Sequence, residues 1–362
     1  MVGEQGIDWA AVENALWWKT MEACPQDARY HGEGDVATHT RMVCDELESS
    51  VGFTDLPDTE KRILRLAALL HDIGKPATTR TEDDGAITSR GHARVGAVMA
   101  RRILWEQAVP LAEREAVCAL VHWHMRPGHF LNYDDPDRTA ITIGQTARCD
   151  WLTRLAEADT RGRIAPDTTD ALVRVGLFGE ACKELGIWEG PFPFASDHSR
   201  FQYFRTPGRD PHYAAFDDTK STLTLMCGLP GAGKDTWVQQ NAFDQPVVSL
   251  DALRTELGIH PSDPQEQIIL TALDRSRGYL RAGQDFVWNA TNLRQEMRAR
   301  PIGLAADYGF RVRIVYREAP HNRLFAQNRN RAAAVPEKVL GKYIDRWEMP
   351  SLVECHELLI VP

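Results

Sequence analysis

The sequence predicts a two-domain chain: an all-α domain over residues 1–189, a connector at 190–220, and an α/β domain with a mostly parallel sheet over residues 221–362. Three observations predict it. From about residue 8 to about residue 188 the apolar spacing is helical and strand-like runs are nearly absent. Between Gly190 and Lys220 the chain turns rich in Pro, aromatics and turn residues. After Ser221, short β-branched runs alternate with helical stretches, the mark of a parallel sheet in an α/β domain.

In the first domain, Thr59–Leu70, Arg114–His124 and Asp150–Asp159 carry buried-helix patterns. In the helix opened by Asp35, residues Val36, His39, Val43 and Leu47 share one face, which puts His39 on the buried stripe. His71-Asp72 ends the helix RILRLAALL and is followed by Ile-Gly-Lys75. His92 opens another helix. His124 points inward with Val117, Leu120 and Val121, and His122 less so. Asp159 shares a face with Leu152 and Leu155. A single inward histidine is more often a satisfied core residue than a ligand. An inward carboxylate needs a cation or donors, because burying it alone is costly. His39, His71, Asp72, His92, His124 and Asp159 together have the composition of a metal site. His31 and Glu33 are placed at its mouth.

In the second domain the runs STLTLMCG, QPVVSLD, DFVWNATN, RVRIVYRE and ELLIVP predict strands. The first leads into Gly228-Leu-Pro-Gly231-Ala232-Gly233-Lys234-Asp235-Thr236, which opens a helix. Glycines let a backbone wrap a phosphate, N–H groups and the helix N-terminus attract it, and Lys234 reaches the β- and γ-phosphates. The pattern places Ser or Thr after the lysine to hold Mg²⁺. Here Asp235 stands there, either as a metal ligand itself or acting through water. Asp251 ends the second strand run, with Arg254 three residues on. At a strand end, one strand from a phosphate-binding lysine, Asp251 suits a general base and Arg254 an acceptor-phosphate ligand. Read alone, Asp251 is better explained as a helix N-cap; the nearby phosphate-binding lysine tips the balance to the base. AQNRNRAAAVP sets Arg329 and Arg331 in a basic helix before a break, as an arginine-bearing lid would be built.

The chain is 43% hydrophobic and 26% charged, an ordinary globular composition. The seven cysteines form no CxxC pair, which argues for a reducing cytoplasm and against a disulfide framework or zinc knuckle. The N-terminus is acidic before any apolar run, and no run nears the ~20 residues that span a bilayer, so no membrane partner is expected. A net charge of -9 is unlike a nucleic-acid binder as a whole. Between Arg311 and Arg346, however, basic residues outnumber acidic ones, which suits either a phosphate-rich ligand or a solvated helix face, the latter being the better reading for any one of them alone.

GLPGAGKDTW, SLDALR, WNATNLRQEMR and AQNRNRAAAVP together resemble the kinase domain of polynucleotide 5'-hydroxyl kinases over most of residues 221–362. The resemblance implies ATP or another nucleoside triphosphate with Mg²⁺. It puts Lys234 on the phosphates, Asp251 on the 5'-OH, Arg254 on the 3'-side phosphate of the terminal nucleotide, and Arg329 or Arg331 on the γ-phosphate. Asn289 stands where an aspartate is more usual. The order H…HD…H…H…D resembles the HD phosphohydrolase superfamily over about residues 30–165. That implies one metal on His39, His71, Asp72 and Asp159, and a second on His92 and His124, with Asp72 bridging and Lys75 on the substrate phosphate. Transition metals such as Mn²⁺, Ni²⁺ or Co²⁺ suit such ligands. The whole arrangement resembles bacterial HD-domain–polynucleotide kinase fusions of RNA repair. It implies RNA or DNA ends bearing a 5'-OH and a 2',3'-cyclic or 2'-phosphate as substrates, and an RNA ligase acting downstream. A small-molecule or nucleoside kinase fused to an HD nucleotide phosphohydrolase is the rival.

Overall fold

A computed structural model describes residues 1–3, 6–260, 262–330 and 334–362. It divides into two compact units, Met1–Pro193 and Phe194–Pro362.

Among its described residues the first unit is helical apart from two antiparallel pairs of two-residue strands, Val2–Gly3 with Gly6–Ile7 and Arg80–Thr81 with Ile87–Thr88. Its site-bearing elements are α1 (Val36–Ser49), α2 (Asp58–Leu70), α3 (His92–Glu106), α4 (Leu111–Trp123), α5 (Cys149–Arg161) and α6 (Thr168–Glu184). Each starts for a local reason. Asp35 caps α1 by accepting the Thr38 N–H at 2.8 Å. Asp58 and Glu60 place negative charge in the first turn of α2. Leu64, Leu69, Leu70, Val117, Leu120, Leu152 and Leu155 are fully buried among these helices. Each such side chain contributes about 1.5–3 kcal/mol relative to exposure. The turn after α2 lets two backbones nearly touch: a Cβ on Gly74 would lie 2.2 Å from the His92 carbonyl oxygen and 2.6 Å from the Gly96 nitrogen. Only glycine fits there.

The second unit begins with α7 (Asp197–Arg205), followed by β1 (Thr222–Cys227), α8 (Lys234–Asn241), β2 (Val247–Ser249), α9 (Leu250–Leu257), α10 (Glu266–Ala282), β3 (Phe286–Asn289), α11 (Gln295–Asp307), β4 (Arg311–Arg317), α12 (His321–Arg329), α13 (Glu337–Ile344) and β5 (Glu357–Val361). The strands form one parallel sheet in the order β2-β3-β1-β4-β5. The five strand runs read from the sequence all form strands. The central strands are mostly apolar and almost wholly buried, as a sheet covered on both faces requires. The chain leaves β1 toward β2 on one side and later reaches β4 on the other, so the carboxyl end of β1 is a topological switch point, where such sheets bind ligands. Among the described residues, no helix is long and apolar enough to cross a membrane.

Most of the stretch expected as a connector at 190–220 packs as part of this second unit. Ser196 caps α7, and Arg200 donates to the carbonyls of Leu352 at 3.1 Å and His356 at 2.7 Å. His356 accepts the Val312 N–H on Nδ1 at 3.0 Å, and its Nε2 lies 3.1 Å from Nδ1 of His198. A helix docked through Arg200 and His198 thus replaces the loose segment suggested by composition.

Candidate functional site

In the first unit the six expected ligands converge. His39 comes from α1, His71 ends α2 and is followed by Asp72, His92 opens α3, His124 ends α4, and Asp159 lies in α5. Asp72 is central. Its Oδ2 is 3.2 Å from His71 Nε2 and 3.7 Å from His39 Nε2; its Oδ1 is 3.3 Å from His92 Nε2 and 3.7 Å from His124 Nε2. Asp159 Oδ1 lies 3.0 Å from His39 Nε2 and 3.8 Å from His71 Nε2. Three groups of possible ligands share close atoms among the described residues: His31, Glu33 and His39; His39, His71 and Asp72; and Asp72, His92 and His124.

The protonation pattern decides what this cluster is fit for. The outer nitrogens of three rings donate to backbone carbonyls: His71 Nδ1 to Ala68 at 2.7 Å, His92 Nδ1 to Ser89 at 2.8 Å, and His124 Nδ1 to Val121 at 2.8 Å. A carbonyl only accepts, so Nδ1 carries the proton and each neutral ring turns an Nε2 lone pair inward. His92 Nε2 and His124 Nε2 lie 3.2 Å apart. Two lone pairs cannot hydrogen-bond to each other, and a shared cation resolves the contact. His71 Nε2 and Asp72 Oδ1 are buried with no hydrogen-bond partner. These are the orphan atoms that a metal would satisfy, so the residues fit divalent ions.

Electrostatics agree. Burial, then the neighbouring His92 and His71 rings, push His124 down to about 3, and burial likewise lowers His92. Both rings are therefore neutral, as ligands must be. Burial opposes ionisation of Asp72, but Lys75 and His71 hold its carboxyl well below the usual range. Burial opposes charge on His39, yet hydrogen bonds from its ring to Asp159 and Glu33 outweigh it and push His39 up to about 9, so without a metal this ring holds a proton that an ion would have to displace.

A cavity of about 660 Å³ opens on the cluster, lined among others by His31, Asp72, Lys75, His92, His124 and Asp159. Lys75 Nζ sits 2.6 Å from Asp72 Oδ2 and 2.6 Å from Gln26 Oε1. His122 stays outside the cluster, packed on Trp123. The expectation for Glu33 needs correcting. His31 lines the cavity, but the Glu33 side chain is 1% exposed and lies behind His39, accepting the Ile164 N–H at 2.9 Å. Residue patterns also missed Arg163, whose Nη2 meets Asp167 at 3.1 Å and whose Nε is buried without a partner in the cavity wall. Its signal was the four-residue step from Asp159, which continues the inward face just past the end of α5.

In the second unit the glycine loop follows β1 as expected. Gly228, Gly231 and Gly233 have φ of 145°, 86° and 90°. A Cβ on Gly228 would lie 2.2 Å from the Arg317 carbonyl oxygen. Lys234 Nζ folds back on the loop, donating to the carbonyls of Gly228 at 2.9 Å and Leu229 at 3.0 Å. Asn289 Nδ2 donates to Asp235 Oδ1 at 2.6 Å. Asn292, in the left-handed region at φ 48°, donates to the Met226 carbonyl at 2.7 Å and so ties the loop after β3 to the end of β1.

Asp251 is ion-paired with Arg254, which also donates to Gln265 Oε1 at 2.7 Å. The cap of α9 is Ser249, not Asp251. Asp251 is mostly exposed in the first turn. It is also farther from Lys234 than a neighbouring strand would place it, because β3 lies between β2 and β1.

The basic stretch 311–346 is not one patch. Arg311 pairs with Asp217 and Asp197, and Arg313 with Glu357, whereas Arg317 ends β4 beside Gly233. Arg311 and Arg317 are about 20 Å apart along the strand. Arg329 meets Glu337 at 3.2 Å, both well exposed. Arg331 lies outside the described residues. Asn328, which the sequence reading passed over, brackets this segment: it exchanges two hydrogen bonds with the backbone of Val335, at 2.7 and 3.1 Å. Its backbone nitrogen and Cβ lie 3.3 and 3.4 Å from where a Cβ on Gly231 would be, so the base of the segment abuts the glycine loop.

Residues 35–153 match the HD domain family model, and residues 223–350 match an AAA domain model, AAA_33. The chain therefore joins an N-terminal helical HD domain to a C-terminal, kinase-like P-loop domain. Similar curated proteins include the multifunctional CCA protein of Pasteurella multocida, 27% identical over 41% of this chain and 36% of that one. The multifunctional CCA protein of Ralstonia nicotianae is 32% identical over 40% and 33%, respectively. The A-adding tRNA nucleotidyltransferase of Deinococcus radiodurans is 44% identical over 20% and 17%. The chain spans about a third or less of the length of these relatives.

Proposed function

We propose that the chain heals nucleic-acid ends: the HD unit removes a 2',3'-cyclic phosphate or a 2'- or 3'-phosphate from RNA, and the P-loop unit phosphorylates a 5'-OH from ATP or another nucleoside triphosphate. The observation that carries the first half is the Asp72 carboxylate with one oxygen toward His39 and His71 and the other toward His92 and His124. That arrangement suits two ions sharing Asp72, with Asp159 completing the first set. Divalent ions there would supply an acidified water and a clamp for phosphate oxygens. His31, Lys75 and Arg163 in the cavity wall orient the phosphate, and the buried Nδ1–H bonds keep each ring aimed inward.

In the second unit, the loop N–H groups and Lys234 hold the β- and γ-phosphates, Asp251 takes the proton of the acceptor hydroxyl, and Arg254 holds the phosphate next to it. Arg329 and Arg331 are assigned to the transferring phosphoryl group. The Deinococcus radiodurans relative, whose name refers to tRNA, supports a nucleic-acid substrate. The net charge of -9 favours the second reading, a small-molecule kinase fused to a nucleotide phosphohydrolase.

One oligonucleotide tests both halves. RNA with a 5'-OH and a 2',3'-cyclic phosphate is incubated with ATP and either Mg²⁺ or Mn²⁺, and both ends are read on one gel. Conversion of both ends supports end healing. Turnover of nucleosides and mononucleotides with no change at either RNA end would establish the second reading instead.

A further inference from the structure

We propose that Asp235 and Asn289 form an inverted magnesium site, in which the anionic ligand has moved from the end of β3 to the glycine loop. The inference rests on the kinase reading above. The usual loop offers a neutral hydroxyl after its lysine and draws its carboxylate from a neighbouring strand end. Here the two chemical types are exchanged. Position 235 carries the carboxylate, and position 289, at the carboxyl end of β3, carries the neutral amide.

The exchange matters only if the two side chains meet, and they do: Asn289 Nδ2 donates to Asp235 Oδ1 at 2.6 Å. The sheet explains why. β1 pairs with β3 in register Leu223↔Phe286 to Leu225↔Trp288, so the loop that follows β1 and the residue that ends β3 reach the same edge. On its other side Asn289 pairs with Ser249 of β2, which fixes its backbone. Asn289 is 9% exposed, whereas Asp235 is exposed in the first turn of α8. The buried member cannot ionise, and the outward one can.

Charge conservation is the physical point. A hydroxyl with a carboxylate, or a carboxylate with an amide, presents one negative charge to the cation. Two carboxylates in contact would repel, and one would tend to take a proton. A hydroxyl with an amide would present no charge. This chain keeps the sum at one. Asn289 is thus a positioning residue that fixes Oδ1 of Asp235 and leaves Oδ2 for the cation.

The inversion has a cost that can be measured. The Asp235 carboxylate follows Lys234 directly, beside the loop that takes the phosphates, so it repels a triphosphate unless a cation lies between them. Nucleotide binding by this chain is therefore unusually dependent on the divalent ion.

Affinity of the full chain for a fluorescent ATP analogue, measured in Mg²⁺ and in EDTA, tests this without turnover. Wild type should bind at least about tenfold more tightly with Mg²⁺. Asp235→Ser should lose most of that ratio, chiefly by binding better in EDTA. Asp235→Asn, which keeps the side-chain volume, should do the same and serves if the serine variant fails to fold by circular dichroism. The exchange Asp235→Ser with Asn289→Asp should restore the ratio. If the single variants keep the wild-type ratio, or the double variant stays as low as Asp235→Ser, the inverted site is wrong while the kinase reading stands. If wild type binds no nucleotide in either condition, the kinase reading itself fails.

Discussion

Glu33 Oε1 lies 3.0 Å from Nδ1 of His39, on the side of the ring opposite Asp159, which lies 3.0 Å from Nε2. His39 is thereby aimed by a buried carboxylate at a second, partly exposed one. Outer-shell partners of this kind typically contribute 10–100-fold to metal affinity.

Glu33→Ala should therefore weaken Mn²⁺ binding to the first unit by about 10-fold or more, read by calorimetry or bound-metal content. Glu33→Gln, which still accepts a hydrogen bond, should recover part of that loss. Equal affinity in wild type and Glu33→Ala would leave Glu33 as a filler of space.

Gly74→Ala would force a Cβ against the His92 carbonyl oxygen, where the gap is 2.2 Å. Overpacking of this kind typically costs about 1–3 kcal/mol. Here it would also shift His92 away from Asp72. Phosphohydrolase activity and bound metal should fall together while nucleotide binding by the second unit is unchanged. A fully active Gly74→Ala would show that the turn can widen without moving the ligand.

Asp251→Ala should lower kinase turnover by a factor of about 10² or more, as loss of a positioned base does. Since Ser249 already caps α9, the substitution should leave thermal stability nearly unchanged. Near-normal turnover would remove Asp251 from the mechanism.

How much of this was legible beforehand differs between the units. The helical faces of His39, His124 and Asp159 were readable because apolar neighbours at helical spacing mark the inward side. Glu33 was not, because it lies outside any periodic segment; only the fold brings it behind His39. The strands after 221 were readable from β-branched runs, but their order was not, and so Asp251 was placed a strand too close to Lys234. The docking of α7 was hidden because its partners, Leu352 and His356, are about 150 residues away in sequence. The exchange at 235 and 289 appeared in the sequence as two separate irregularities; contact makes them one.

His356 gives a pH prediction. Burial, followed by the nearby Arg311 charge, pushes its imidazole down to about 3 from an ordinary 6.5. The unfolded chain therefore binds a proton below pH 6.5 that the folded unit refuses. Its contribution is complete above that pH and declines as pH falls toward 3, by up to about 1.4 kcal/mol per pH unit. Protonation at Nδ1 would also break the bond from the Val312 N–H. Acidification from pH 7 to 5 should destabilise wild type more than His356→Gln in denaturant melts. Parallel pH profiles would show that this ring does not couple folding to protons.

The central claim is two separate chemistries on one chain, and paired variants measure it most directly. With RNA bearing a 5'-OH and a 2',3'-cyclic phosphate, ATP, Mg²⁺ and Mn²⁺, Asp72→Ala should abolish processing of the cyclic phosphate and spare 5'-phosphorylation. Lys234→Ala should do the reverse. If either variant loses both activities while remaining folded by circular dichroism, the sites are shared or coupled, and the account is contradicted.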